Sequence, residues 1–318
     1  MNALAPIVPV NGAITLTVSE ATDAFALNSK AAATQRAYRT DMRAFAAWCR
    51  QHGLEPLPAA PETVARHLAQ LALDGMAVSS IGRRCAAIRY AHKLAELEPP
   101  TGHERVRTVL SGIRRTVGTA PVRKAPVTAE RLGELFKHLS PGLIGTRDRA
   151  LLALGFAGAF RRSELVGLQV GDLTEVPDGL RVLIRHSKTD KTGTGQEIAI
   201  PRGFRLRPVE AVQAWLAAAQ ITEGPVFRRV KLGGAVGSVP LSGHAVAEII
   251  KKLAKRAGLD PMDFSGHSLR AGFVTSAVET NAPIMKIAEQ TRHKSLDMLR
   301  VYSRRVDLFR EHAGAAFL

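Results

Sequence analysis

The run ALLALGFAGAF, Ala150–Phe160, is the longest apolar stretch of the chain and is bounded by Arg149 and Arg161. A bilayer span needs about 20 apolar residues, so this run is far too short to cross a membrane. It reads instead as the buried helix of a protein core, starting near Thr146. Just upstream, Thr128 is placed to cap a helix whose inner face is Leu132, Leu135, Phe136 and Leu139. Downstream, Arg181–Arg185 and Gln196–Ile200 read as two short strands around the turn-rich DKTGTG of Asp190–Gly195. Helical periodicity returns over 208–220, 243–257, 266–280, 283–291, 295–304 and 306–315. That makes a mostly helical unit with one small antiparallel sheet.

Outward toward the N-terminus the pattern is purely helical. Tyr38, Met42, Phe45 and Trp48 form one stripe. Val64, Leu68 and Leu71 form a second, entered by Pro61-Glu62 in the first turn. Ile81, Cys85, Ile88 and Leu94 form a third, capped by Ser79 or Ser80, and Val106, Val109, Leu110 and Ile113 a fourth. Residues 118–127, GTAPVRKAPV, carry Gly, two Pro and two basic residues and read as a linker. The expected layout is an arm over 1–20, a helical domain over 21–117, the linker, and a second domain over 128–318. The fold class is mainly α (α+β).

The 318 residues fit two domains. Hydrophobic content of 46% and charged content of 23% exclude wholesale disorder. Two cysteines, Cys49 and Cys85, are too few for a disulfide framework and have no CxxC neighbour. Met1–Val18 lacks the early positive charge of a signal peptide. A cytoplasmic protein is the expectation. The net charge of +16 is spread over both halves and predicts a polyanionic partner without naming any chemistry. There is no Walker-A loop, and no Asp/Glu set is spaced to hold two metals.

Taken singly, the polar residues of the second half have ordinary explanations: a capped helix end at RRSEL, a solvated first turn at HSLR, a core tyrosine at 302. Together they form an ordered set: Arg161 followed by x-S-E-L, Lys188 on the hairpin, His267-x-x-Arg270, His293, and Tyr302 nine residues later. That set resembles the tyrosine recombinase (phage integrase) family. AAWC (46–49), PAAPETV (58–64) and GMAVSSI (75–81) are similar to the helical, DNA-clamping domain of its Cre-like site-specific recombinases. Two features depart from the family pattern. Arg292 stands where relatives usually carry Gly, and Arg162 doubles Arg161.

The resemblance implies a DNA strand transferase working through a covalent 3′-phosphotyrosyl link, with no cofactor, ATP or metal. Arg161 and Arg270 would pair the non-bridging oxygens of the scissile phosphate, as forked guanidiniums can. Tyr302 would be the nucleophile, His267 the base or a phosphate ligand, His293 a hydrogen-bond donor to phosphate and Lys188 the general acid. Glu164, three residues after Arg161, would orient that arginine and the groups behind it without being catalytic itself. Arg83, Arg84, Arg89 and Arg292 are the expected DNA contacts. The implied partner is double-stranded DNA with a short inverted-repeat site, bound by a dimer per site and a tetramer in synapsis. The segment 306–318 would act as the exchange helix. No membrane or small-molecule substrate enters this reading. The alternatives are a type IB topoisomerase-like activity and a non-catalytic sequence-specific DNA-binding protein.

Overall fold

The structure, a computed structural model, describes residues 30–118, 124–185, 195–231 and 233–293. The chain divides into two compact units, Met1–Val122 and Arg123–Leu318.

The described part of the first unit is helical. Helices α1 (Ala32–Gln51), α2 (Pro61–Leu73), α3 (Val78–Leu94) and α4 (Glu104–Val117) pack so that α1 lies on α3 and α2 on α4. Their apolar stripes meet in a core of Phe45, Cys49, Val64, Leu68, Ile81, Cys85, Ile88, Val106 and Ile113. Pro61 opens α2 with Glu62 in the first turn, where the missing proline N–H costs nothing and the carboxylate faces the positive end of the dipole. Two local expectations change. Helix α3 starts at Val78 with Ala77 as its N-cap and no side-chain cap bond, so neither Ser79 nor Ser80 caps it. Leu94, at the frayed end of α3, is exposed.

One buried carboxylate ties α1 to α3. Asp41 accepts from Arg83 Nε at 2.8 Å and Nη2 at 3.2 Å, and Arg84 Nε lies 3.7 Å away. Unlike Asp41, His67 on α2 is buried with no hydrogen-bond partner on either ring nitrogen, wedged against Phe45 and Trp48. Burial, helped by the charge of Arg84, pushes its pKa down to about 4.

In the second unit α5 (Ala129–Phe136) is capped by Thr128, whose hydroxyl accepts from the Arg131 N–H. Helix α6 (Gly142–Ala157) contains most of the apolar run and is buried almost all round, as its lack of a polar face requires. It begins at Gly142, ahead of the expected Thr146. Helix α7 (Arg162–Gly167) follows a tight turn, and a three-stranded antiparallel sheet comes next: β1 (Leu173–Val176), β2 (Gly179–Ile184) and β3 (Gln196–Pro201), in that order. Leu180, Val182 and Ile184 alternate inward against Ile198 and Ile200. A second, two-stranded sheet, β4 (Arg228–Val230) and β5 (Val236–Pro240), lies beyond α8 (Pro208–Ala218). Helices α9 (Gly243–Arg256), α10 (Ser268–Glu279) and α11 (Ile284–Thr291) complete the described chain.

Residues 124–127 are docked into this unit. Ala125 N–H donates to Asp263 O at 2.7 Å and Val127 N–H to Ser268 O at 2.9 Å. The docking is close enough that a Cβ on Gly272 of α10 would fall 1.7 Å from the Val127 carbonyl oxygen. Among the described residues no helix is long and apolar enough to cross a membrane.

Candidate active site

The site grows from the turn that ends the buried helix. Gly158 caps α6, and Ala159 adopts φ 44°, a left-handed conformation strained for a residue with a Cβ. The turn closes through Ala159 N–H to Phe156 O at 2.9 Å and Phe160 N–H to Gly155 O at 3.1 Å. Arg161 then becomes the N-cap of α7.

Glu164, in the first turn of α7, holds Arg161 at two points. Its Oε2 accepts from the Arg161 backbone N–H at 2.9 Å, and its Oε1 from Arg161 Nη1 at 2.6 Å. A third donor arrives from α11: Arg292 Nη2 lies 3.0 Å from Oε2. Burial alone would raise the Glu164 pKa. The Arg161 backbone N–H and the Arg292 and Arg161 guanidiniums outweigh it, so the carboxyl sits below its ordinary value and stays ionised.

Arg292 and Arg270 meet at one oxygen. The Ala159 carbonyl accepts from Arg270 Nη1 at 2.8 Å and from Arg292 Nη2 at 3.0 Å. Arg292 Nη1 also donates to Gly158 O at 3.0 Å and Gln290 O at 2.8 Å, while the guanidinium lies 5.5 Å from the Phe160 ring centroid. Desolvation lowers the Arg292 pKa, against the pull of Glu164. The sequence places Arg292 at the DNA. The structure turns it inward instead, leaving the residue 6% exposed with its Nη donors on the protein.

His267 is the exposed N-cap of α10, one turn before Arg270, and its backbone N–H donates to Ser265 Oγ at 3.2 Å. The Arg162 side chain packs closely over the neighbouring Gly266: a Cβ there would lie 1.7 Å from Arg162 Cδ, so the arginine would have to move aside. Arg162 thus lies across the loop that carries His267, on a path separate from that of Arg161.

His293 follows α11, and its backbone N–H donates to Ala288 O at 3.1 Å. Its Nδ1 is 2.7 Å from the buried Thr291 hydroxyl, which itself lies 2.6 Å from Ile287 O. Two oxygens at that separation need a proton between them, and the hydroxyl has only one. The Thr291 O–H therefore donates to Ile287, and His293 Nδ1 carries the hydrogen that Thr291 accepts. In the neutral ring Nε2 is then a bare acceptor. Burial, then the charges of Arg270, Arg161 and Arg292, push the His293 pKa down to about 4.

Five of the sequence-selected residues thus converge: Arg161, Glu164, Arg270, Arg292 and His293. His267 lies at the start of the same helix as Arg270. Lys188, in the connection between β2 and β3, and Tyr302 with the segment 306–318 lie outside the described residues. In the first unit Arg83 and Arg89 are exposed, but Arg83 and the half-buried Arg84 both face Asp41. Sequence reasoning misses the Ala159 carbonyl, Thr291 and Asp41. A main-chain oxygen has no signature in a sequence, and Thr291 and Asp41 look like ordinary helix residues. Among the described residues no group of three or more His, Cys, Asp or Glu could hold a metal ion.

A mainly helical fold with small antiparallel sheets, and two guanidiniums gathered at a helix-capping turn, define a class. The chain belongs to the phage integrase family: residues 126–307 match its integrase domain and residues 26–98 its N-terminal SAM-like domain. It is accordingly a tyrosine-type DNA strand-transfer enzyme, a site-specific recombinase. It is 42% identical to an integrase/recombinase XerD homolog of Selenomonas ruminantium over 90% of this chain and 85% of that one. It is 24% identical to recombinase Cre of Escherichia phage P1, over 83% of this chain and 82% of Cre. A lambda integrase dimer bound to a COC′ core site shares the fold at a TM-score of 0.61 and 17% identity, over 92% of this chain and 77% of that one.

Proposed function

We propose that this chain binds duplex DNA at a short inverted-repeat site and exchanges strands there through Tyr302. In this reading Arg161 and Arg270 pair the non-bridging oxygens of the scissile phosphate. Negative charge grows on those oxygens as the tyrosine attacks, and two fixed guanidiniums favour that state over the ground state. His267 takes the phenol proton, and Lys188 returns one to the leaving 5′ oxygen. The 3′-phosphotyrosyl bond keeps the energy of the phosphodiester, so rejoining needs no external source. His293, neutral before DNA arrives, takes up a proton as the phosphate's negative charge offsets the arginines around it, and with Nδ1 held by Thr291 it then donates to a phosphate oxygen from Nε2.

The observation that carries the reading is the convergence of Arg161, Arg270 and His293. They come from three separate stretches of chain, yet Arg161 and Arg270 both act on the His293 ring. Comparison supplies a second support: an XerH recombinase of the same fold is described bound to a palindromic difH substrate in a post-cleavage complex, at a TM-score of 0.59. We extend the reading to a dimer on each site and a tetramer in synapsis, with residues 306–318 as the exchange segment. The boundaries 21–117 and 128–318 would separate DNA-holding from chemistry, and the protein would work in the cytoplasm on the nucleoid.

The test is covalent trapping. Purified protein is mixed with sheared DNA of the source cell, stopped with detergent, and the protein-linked ends are sequenced. Wild-type protein should leave a tyrosine on a 3′ phosphate at a defined site, and Tyr302→Phe should leave none while still shifting the recovered duplex in a gel. A 3′ adduct formed by Tyr302→Phe would refute the nucleophile.

A further inference from the structure

We infer that Arg292 is a positioning residue that holds Glu164 and the Ala159 turn, so that Arg161 and Arg270 keep their positive charge for the phosphate. The inference rests on the assignment of the phosphate site to those two arginines.

The backbone is the first observation. Arg292 is the C-cap of α11 with φ 56° and ψ 43°, the left-handed region. Such a conformation costs a residue with a Cβ about 1–2 kcal/mol more than glycine. An arginine persists there only if its surroundings hold it in place.

Those surroundings are the second observation. The guanidinium touches four acceptors: the carbonyls of Gly158, Ala159 and Gln290, and the Glu164 carboxylate. Three of the four belong to the segment that delivers Arg161, and one of these, Ala159 O, also anchors Arg270. With its side chain 2% exposed, Arg292 cannot itself reach a DNA backbone.

Charge is the third. Glu164 is almost fully buried and ionised, and it contacts Arg161 directly. Were Arg161 its only cation, the carboxylate would cancel much of the field that Arg161 directs at an incoming phosphate. With Arg292 on its second oxygen, Glu164 is balanced from inside the fold. The site then faces the phosphate with the excess of two guanidiniums instead of one. Removing Arg292 leaves the buried Glu164 charge to be balanced by Arg161 alone, so the effect is transmitted to the phosphate site rather than absorbed.

The experiment uses Arg292→Met, Arg292→Lys and the double variant Arg292→Met with Glu164→Gln, each checked for a cooperative thermal transition. Two probes are read on the full chain. Inorganic orthovanadate, a phosphate stand-in that needs no DNA, is titrated by thermal shift. Covalent adduct is measured on the duplex recovered by trapping with wild-type protein. Arg292→Met should weaken vanadate binding and slow adduct formation by about 10- to 100-fold, as removal of an orienting partner does elsewhere. Duplex affinity and its salt dependence should stay close to wild type. Arg292→Lys, which keeps the charge and loses the fork, should fall between. The double variant should regain part of the loss, because the carboxylate that draws on the charge of Arg161 is then gone. A purely structural arginine would give a double variant no better than the single one, and that result overturns the inference. So does a duplex affinity that falls along with the rate, which would make Arg292 a DNA contact. If the wild type forms no adduct, the tyrosine-transfer reading fails, and the vanadate series still decides the role of Arg292.

Discussion

Replacing Thr291 by Val exchanges one hydroxyl for a methyl at a fully buried position. The shape is kept, and what disappears is the oxygen between Ile287 O at 2.6 Å and His293 Nδ1 at 2.7 Å. The Ile287 carbonyl remains at its place in the helical ladder of α11, so it is not stranded. The His293 Nδ1–H is stranded in a half-buried setting. A net hydrogen bond contributes about 1 kcal/mol, and an unpaired donor adds a comparable penalty, which gives about 1–2 kcal/mol of destabilisation. Urea unfolding of Thr291→Val against wild type and Thr291→Ser measures it. The second consequence is chemical. With no acceptor at Nδ1, the neutral ring is free to move its proton to Nε2 and donate to phosphate without becoming charged. Cleavage by the variant should therefore be slower, because the ring is less fixed, and less dependent on pH between 6 and 9 than cleavage by wild type. Single-turnover adduct formation on the recovered duplex gives the profile. Thr291→Ser should behave as wild type. If the Val variant has wild-type stability and a wild-type pH profile, the proton assignment at Thr291 and His293 is wrong.

Acid should destabilise the protein in a defined window. His293 and His67 both have folded pKa values pushed from 6.5 down to about 4, so the unfolded chain binds their protons first. Their stabilising share is whole above pH 6.5 and is lost as pH falls toward 4, which urea midpoints across that range would trace. His67→Phe should flatten the part of the slope owed to His67 and raise stability by about 1 kcal/mol, since both ring nitrogens lack partners; a steeper slope or a loss of stability would contradict this. Gly272→Ala should cost about 2 kcal/mol or more by the same assay, because the new methyl meets a backbone carbonyl that cannot move aside, and a near-neutral result would mean that residues 124–127 shift easily.

The helical character of both units was readable because their apolar residues recur at helical spacing over long stretches. Phe45, Leu68, Ile88 and Ile113 all end in one core. Strands β1 and β4, with four and three residues, are too short for a period to declare itself. Arg161, Glu164, Arg270 and His293 were readable as an ordered set of residue types. The sequence could not reveal what holds them, since the Ala159 carbonyl is main chain and the inward turn of Arg292 depends on a left-handed cap. A surface charge and a buried one look alike in a sequence. Arg292 and Arg89 illustrate the two outcomes: one is sealed in the fold, the other exposed.

The Ala159 oxygen, which receives both Arg270 and Arg292, bears on how such proteins can be recombined in the laboratory. A crossover placed between residues 164 and 292 would join a Glu164 selected beside arginine to a partner segment carrying glycine, or the reverse. The first product leaves the buried Glu164 to Arg161 alone and strips the Ala159 oxygen of one of its two donors, and the second forces an arginine into a turn shaped around glycine. Segment exchange with relatives of the glycine type should therefore succeed when both parental stretches, 158–164 and 290–293, travel together.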